Sequence, residues 1–532
     1  IEHQKIKSKT DSSCYELEVH IFFDAPFEKK NLMKNRSEIY DRDIIEWKVT
    51  NEWVNSFINV LRRIVEGNGE GDCWKYGQVF PTPYGGKIVY DILGTEFTIH
   101  LKDPDNVKRG NRWSQIMYLY YLCGWKMDQC QMTNSKGVKL KKENTYILAL
   151  DGDVDFFPND FELVLARMVA SPDVGACCNQ IHPIGSGPMV WFQRFEYAVS
   201  HWFQKAAEHI LGCVLCSPGC FSLFRVSNLM KDNVMATYKE LATDAMTKLM
   251  YDQGEDRWLC TLILLSGGRI EFEAGSHCQT FAPEDPDTYF KQRRRWTPSG
   301  FVNIFELISN KTLATKTNPY LTSAYIYYHM LLAVLSTIGV TTTLFVIWEG
   351  LELGLGSAIT TEQAWAVAFM PVLLYALICW RASGKNQLLW AKILSAFYSI
   401  IMVLLIVTIA MGINECSWNL TGLFILFLAG IHLLAAFLHC DIKTAICGII
   451  FWIGIPLNYI FLQIYIIANI NDVSWGVRSA STGPKKVKRT FKDKLRVLEQ
   501  KSGPVMKFFL SYFVNDAPKE IEEDIPESPR VS

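Results

Sequence analysis

The sequence predicts an α/β domain followed by an α-helical membrane region, and three observations carry that expectation. Short apolar runs ending in aspartate alternate with helix-spaced segments over residues 1–300. Five nearly uncharged apolar runs of membrane-crossing length, or close to it, occupy residues 321–470. Between them stands the basic-aromatic string Gln292-Arg293-Arg294-Arg295-Trp296, which marks a junction between chemistry and a bilayer. Composition agrees: 49% hydrophobic and 20% charged residues over 532 positions is more apolar than a soluble enzyme needs. The net charge of -1 gives no case for nucleic acid as a partner. Cysteines spread through apolar segments predict reduced thiols on a cytosolic side, not a secreted disulfide framework. The chain starts at Ile1 without methionine, which predicts a fragment of a longer protein.

In chain order, residues 41–65 have helical spacing and a glycine-rich break follows at 66–71. Runs 20–23 and 145–150 read as strands ending at Asp24 and Asp151, at the carboxyl ends where α/β sheets collect ligands. Segments 113–123 and 160–169 read as helices, and 301–308 as a helix lying at the bilayer surface. The membrane-length runs are 321–348, 364–380, 388–413, 422–438 and 445–470. Lysine and arginine before the first run, and at Arg381 and Lys385, place the preceding half in the cytosol. Five simple crossings would leave the basic string 485–489 outside, so one run is expected to enter and return. The last is preferred because Gly454-Ile455-Pro456 interrupts it; the short second run is the alternative.

Three clusters carry chemistry. Asp151-Gly152-Asp153 places two carboxylates after a buried strand, with a glycine that permits close backbone approach, and suits a hard divalent cation that also holds diphosphate oxygens. Glu255-Asp256-Arg257 supplies a carboxylate able to take a proton from an acceptor hydroxyl. In the Gln292–Trp296 string, arginine can fork onto phosphate and indole can face a sugar ring. The spacing Cys213, Cys216, Cys220 near His209 invites a metal reading, but the apolar setting favours thiols packed as small hydrophobes. His329 and His432, inside apolar runs, are either polar wall residues or packed side chains, and Lys392 snorkels to the surface.

Read as longer strings, residues 149–156, 254–260 and 292–296 resemble an animal-type chitin synthase, a processive inverting membrane glycosyltransferase; the resemblance covers most of residues 80–480. It implies a GT-A-like cytosolic catalytic domain followed by a transmembrane channel domain. The implied boundaries are 1–76 for an N-terminal fragment and the start of the catalytic domain, 77–300 for the catalytic domain, 301–319 for an interfacial helix, 320–470 for the channel and 471–532 for a tail. The implied reaction moves N-acetylglucosamine from UDP-N-acetylglucosamine to the non-reducing end of a growing chitin chain and translocates the polymer. A related hyaluronan or glucan synthase is the alternative.

The resemblance also implies residue roles. Asp256 is the base, with Glu255 and Arg257 beside it, and Asp153 coordinates Mg²⁺ or Mn²⁺. Lys102, Asp151, Gly187 and Tyr84 contact the nucleotide sugar. Gln292, Arg295, Trp296, Ser217 and Cys220 meet acceptor or substrate, as do Trp475 and Gly476 of Ser474-Trp475-Gly476-Val477-Arg478, where valine replaces the family's threonine. Implied partners are UDP-N-acetylglucosamine, the growing chain and the bilayer, with self-association left open. The implied location is the plasma membrane, as a multi-pass protein with its catalytic domain cytosolic.

Overall fold

The computed structural model describes residues 15–27, 50–67, 77–92, 94–127, 142–231, 234–414, 420–439 and 442–472. The chain forms two compact units, each assembled from separated stretches. The first comprises Ile1–Glu284, Trp296–Thr337 and Phe424–Phe451, and the second Asp285–Arg295, Ile338–Leu423 and Trp452–Ser532.

Two sheets build the first unit. The smaller one orders β1 (Glu18–Asp24), β4 (Thr95–Lys102), β3 (Gly85–Ile92) and β2 (Gln78–Thr82), with β1 and β4 parallel so that Asp24 sits opposite Lys102. Alternate residues of β3 and β4 point to one face, where Ile88, Tyr90, Ile99 and Leu101 bury against Val54 and Ile58 of helix α1 (Glu52–Gly67). The helix expected from residue 41 therefore begins at Glu52 in the described chain. Thr50 is bridged to Phe27 and Asn51 caps the first turn, its Oδ1 accepting from Val54 N at 3.1 Å. Helix α2 (Asn111–Leu119) continues into a widened turn at Tyr120–Lys126.

The larger sheet orders β5 (Tyr146–Leu150), β8 (Phe221–Arg225), β7 (Val174–Ile184), β9 (Arg269–Phe281) and β6 (Val154–Asp155). Parallel β7 and β9 form its middle, and eight of the eleven β7 positions run buried from Val174 to Ile181, as a strand covered on both faces requires. Helices α3 (Pro158–Ala170), α4 (Pro188–Val199) and α5 (Glu255–Leu265) cover it, and Trp258 to Leu264 of α5 are buried. Gly212 closes the segment Ala206–Leu211 at φ 143°, with an ideal Cβ only 2.2 Å from Tyr320 O, so no larger residue fits there. The strands and helices read from residues 20–23, 113–123, 145–150 and 160–169 are all present.

Helix α6 (Pro286–Ser309) differs from expectation. It starts well before Phe301 and carries Gln292–Trp296 in its middle, running through Pro298. A proline removes only its own N–H from the ladder, and the helix absorbs that loss.

The apolar runs form α7 (Ser323–Leu355), α8 (Thr361–Arg381), α9 (Gly384–Asn414), α10 (Leu420–Leu438), α11 (Ile442–Ile453) and α12 (Leu462–Ala468). Among the described residues, three helices are long and apolar enough to cross a membrane, within 323–358, 361–381 and 384–408. The pair 443–453 and 457–468 qualifies as a fourth if taken as one span, bent by 58° at the Gly454–Pro456 interruption. The apolar stretch 426–438 is shorter. Within the second unit, Tyr375 and Tyr398 pack edge-on to Phe461, at 5.2 and 5.3 Å. Lys392 reaches the exposed carboxylate of Asp287 at 3.0 Å, the surface-seeking behaviour expected of it.

Candidate active site

Asp256 occupies the first turn of α5, where the N-terminal backbone N–H groups favour negative charge. Its Oδ1 accepts from Arg257 N at 2.8 Å and its Oδ2 from Gly219 N at 3.3 Å. No Lys or Arg pairs with it among the described residues. Gly219 belongs to the tight loop Cys216–Cys220, and the Cys220 carbonyl accepts from Asp151 N at 3.4 Å. That one loop thus touches both acidic motifs. It is tied to β8 and α5: Ser217 Oγ lies 2.6 Å from Ser222 Oγ, Ser217 N donates to Cys260 Sγ at 3.2 Å, and Ser222 Oγ donates to Pro218 O at 2.6 Å.

The same helix end is locked to α6. An ideal Cβ on Gly254 would lie 2.7 Å from Ser299 Cβ, and one on Gly300 would lie 3.0 Å from Arg257 Nη1. Ser299 Oγ donates to Trp296 O at 3.0 Å, and Thr261 Oγ1 meets Asn303 Oδ1 at 3.3 Å. Trp296 therefore lies one helical turn before the residues that grip the Glu255–Arg257 turn. Glu255, Arg257 and Trp296 are half-buried. Gln292 and Arg295 stand on the α6 segment assigned to the second unit. Arg294, buried, pairs with Asp472, and Arg293 covers the Tyr289 ring at 5.0 Å, so both serve as anchors.

Asp151 and Asp153 are exposed in the loop after β5. Among the described residues no three His, Cys, Asp or Glu side chains converge to hold a metal ion. A cation shared with a diphosphate needs only one or two carboxylates, because phosphate oxygens and water supply the remaining ligands, and this pair fits that requirement. The cysteines do not fit a metal. A hydrogen bond with Cys260 and burial push the Cys216 thiol well up, and a hydrogen bond with Cys278 and burial do the same for Cys220, so both stay protonated. Beneath this loop lies Lys205, at the end of a widened turn, 3.7 Å from Cys178 Sγ.

The smaller sheet holds the residues expected to meet a nucleotide. Lys102 is 1% exposed, and its Nζ donates to Asp24 Oδ1 at 2.5 Å and Ser114 Oγ at 2.8 Å. Asp24 Oδ2 in turn accepts from Gly110 N at 2.8 Å. Lys102 thus fixes a carboxylate at the strand end and is itself buried. Tyr84 Oη lies 2.6 Å from His100 Nδ1, and His100 Nε2 is 3.0 Å from His20 Nδ1, whose Nε2 reaches Glu18 Oε1 at 2.8 Å. Burial, with His20 and Lys87 nearby, lowers His100 to about 3. Gly187 caps α4 at φ 91°, in a loop tied to Glu284 by Ser186 N at 2.9 Å. Trp475 and Gly476 lie outside the described residues.

A family model described as chitin synthase matches residues 88–382, more than half of the chain. The chain belongs to the chitin synthase family. It is 39% identical over 488 residues to chitin synthase chs-1 of Caenorhabditis elegans, covering 90% of this chain and 36% of that protein. It is 36% identical over 494 residues to a chitin synthase of Meloidogyne artiellia, covering 90% and 25%. To chitin synthase 3 of Saccharomyces cerevisiae it is 30% identical over 227 residues, or 38% of this chain and 19% of that one. The chain spans between a quarter and about a third of the length of the nematode chitin synthases it matches.

Sequence reasoning about this chitin synthase family member missed three positioning groups. Arg112 is buried with its Nη1 donating to Asp252 Oδ1 at 2.7 Å and its Nε to Tyr238 O at 3.1 Å, which braces the segment leading into Glu255. Lys205 and Ser299 carried no local motif that could single them out.

Proposed function

We propose that this chain is the catalytic and membrane core of a chitin synthase, transferring N-acetylglucosamine from UDP-N-acetylglucosamine to the non-reducing end of a β-1,4-linked chain with inversion. One observation carries the reading: the loop Cys216–Cys220 bonds the Asp256 carboxylate through Gly219 N and the Asp151 backbone N–H through the Cys220 carbonyl, so the proton acceptor and the strand end that carries Asp151-Gly152-Asp153 share one support. Asp256 takes the proton of the attacking hydroxyl as the new glycosidic bond forms and the bond to UDP breaks. Arg257 and Glu255 orient the turn.

Asp153, with Asp151 contacting the sugar or nucleotide, would hold Mg²⁺ or Mn²⁺ against the diphosphate. A divalent ion there supplies neutralisation of charge on departing UDP. Tyr84 and Gly187 contribute to the nucleotide-sugar pocket, and Lys102 acts through the Asp24 carboxylate it fixes. Ser217 and Cys220 belong to the acceptor-side loop, Trp296 faces the acceptor sugar, and Gln292 and Arg295 meet substrate on the same helix. Trp475 and Gly476 contribute to holding the growing chain. The polymer crosses the plasma membrane through the apolar helices, with the catalytic domain cytosolic.

The test uses purified full-chain protein with UDP-N-acetylglucosamine. Release of UDP with a chitinase-sensitive product, silenced by EDTA and restored by Mg²⁺ or Mn²⁺, is expected. A hyaluronidase-sensitive product would move the substrate class, and full activity in excess EDTA would remove the metal from Asp153.

A further inference from the structure

The helical segment Ala206–Leu211 carries a buried acid that has no part in the transfer step described above. Glu208 is 1% exposed, although Gln204 and Ile210 on either side of it face outward. A carboxylate taken out of water is costly unless its oxygens are hydrogen-bonded, and both oxygens of Glu208 are. Oε2 accepts from Leu215 N at 2.9 Å and Oε1 from Gln204 Nε2 at 3.0 Å. Burial raises the carboxyl, while these two bonds and the nearby charges of Lys205 and Arg257 lower it.

Leu215 is the residue from which the chain enters the loop Cys216–Cys220. The residue before it is held by the sheet, with Val214 N donating to Ile270 O of β9 at 2.9 Å. At Leu215 the acceptor is a side chain instead, and a buried backbone N–H needs the one it has. Four residues on, Gly219 N donates to Asp256 Oδ2 at 3.3 Å. The loop is thus slung between two carboxylates, the buried one at its entry and the candidate base at its far end. Between them Ser217 N goes to Cys260 Sγ at 3.2 Å, a weak acceptor, and Pro218 has no N–H to give. A shift at Leu215 is therefore passed along the loop to Gly219 N.

We propose, on the reading of Asp256 as the base, that Glu208 is a positioning residue for it. By holding Leu215 N, Glu208 sets where Gly219 N stands, and so the orientation in which the Asp256 carboxylate meets the acceptor hydroxyl. Glu208 touches no reacting atom and acts through the backbone of residues 215–219.

The test is a double-mutant cycle in the full chain, read by steady-state release of UDP from UDP-N-acetylglucosamine. Glu208→Leu leaves Leu215 N without its acceptor and should lower kcat about a hundredfold, the scale of a 1 Å misplacement. KM for the nucleotide sugar should stay within about twofold, because the loss falls on the transition state. Glu208→Gln keeps an acceptor oxygen and should recover most of kcat. Asp256→Asn still accepts from Gly219 N but cannot take a proton, so adding Glu208→Leu to it should cost less than about threefold more. A merely structural defect would multiply with Asp256→Asn instead. Should Glu208→Leu fail to fold, the exposed Gln204→Leu carries the same cycle: it strips one bond from the carboxylate and should lower kcat about three- to tenfold, again without adding to Asp256→Asn. Wild-type kcat in the variant that folds, or a loss that multiplies with Asp256→Asn, overturns the role of Glu208 and leaves the base reading intact. Near-normal turnover by Asp256→Asn alone removes the base reading and this role with it.

Discussion

Asp256 accepts from the backbone N–H groups of Arg257 and Gly219 and, at 4.0 Å, from the Cys216 thiol. Asparagine there keeps the volume and cannot accept the proton. Asp256→Asn should therefore lower polymer synthesis by about 10² to 10⁴ while UDP binding, followed by calorimetry, stays close to wild type. Near-normal synthesis would take Asp256 out of the chemistry. In the smaller sheet, acid should act through two groups. For Glu18, burial alone would raise the carboxyl, but hydrogen bonds from His20 and Lys126 outweigh it and hold it at about 2, below its ordinary 4.5. His100 falls to about 3 from 6.5. Both folded-state values are depressed, so their stabilising contributions are full above the unfolded values and fade on acidification, for His100 between about 6.5 and 3 and for Glu18 between about 4.5 and 2. Hydrogen exchange at residues 95–102 should quicken between pH 7 and pH 5 relative to base catalysis, and less so in His100→Gln; identical behaviour in the variant would discount His100. Contiguous strings made Asp151, Asp153, Asp256 and Trp296 stand out as candidates in the sequence. The pairing of Lys102 with Asp24, 78 positions away, was not, because a parallel register joins residues that no local pattern connects.

Among the elements, the contact of α5 with α6 decides the geometry around Asp256. Gly254 has φ -131°, so alanine there meets no backbone strain, and the obstacle is only Ser299, 2.7 Å from the new methyl. Gly254→Ala should shift the first turn of α5 and cost roughly 10²-fold in turnover, the scale of a 1 Å misplacement, with the fold retained. Adding Ser299→Gly opens the space and should restore most of the rate, as a steady-state assay of UDP release would record. A double variant as slow as the single one would show that the turn is set elsewhere. Helix and strand periodicity exposed most of these elements beforehand, including the break at Gly454–Pro456. The early start of α6 escaped because the string Gln292–Trp296 read as a junction and the helix was expected only from residue 301, whereas the helix runs through Pro298.

For the whole molecule, the proposed coupling of synthesis to export predicts where product accumulates. A hydrophilic polymer cannot pass about 30 Å of hydrocarbon unaided. In sealed proteoliposomes with the catalytic side outward, chitin should collect in the lumen, protected from added chitinase, and Trp475→Ala should impair elongation or export more than sugar-nucleotide hydrolysis. Product wholly accessible on the catalytic side would end the channel reading and leave the synthase reading intact. The division into two units has a consequence for inheritance and engineering. The chain passes between them at 284/285, 295/296, 337/338, 423/424 and 451/452, so neither is a cassette that a single crossover can exchange. A fragment ending at Ser309 would keep both sheets yet strip Phe195 of Phe451, 5.1 Å away, and of Gly448, which leaves no room for a side chain beside that ring. Soluble truncations should therefore precipitate, and chimaeras between relatives should work only when the segment 424–451 travels with the sheets it covers.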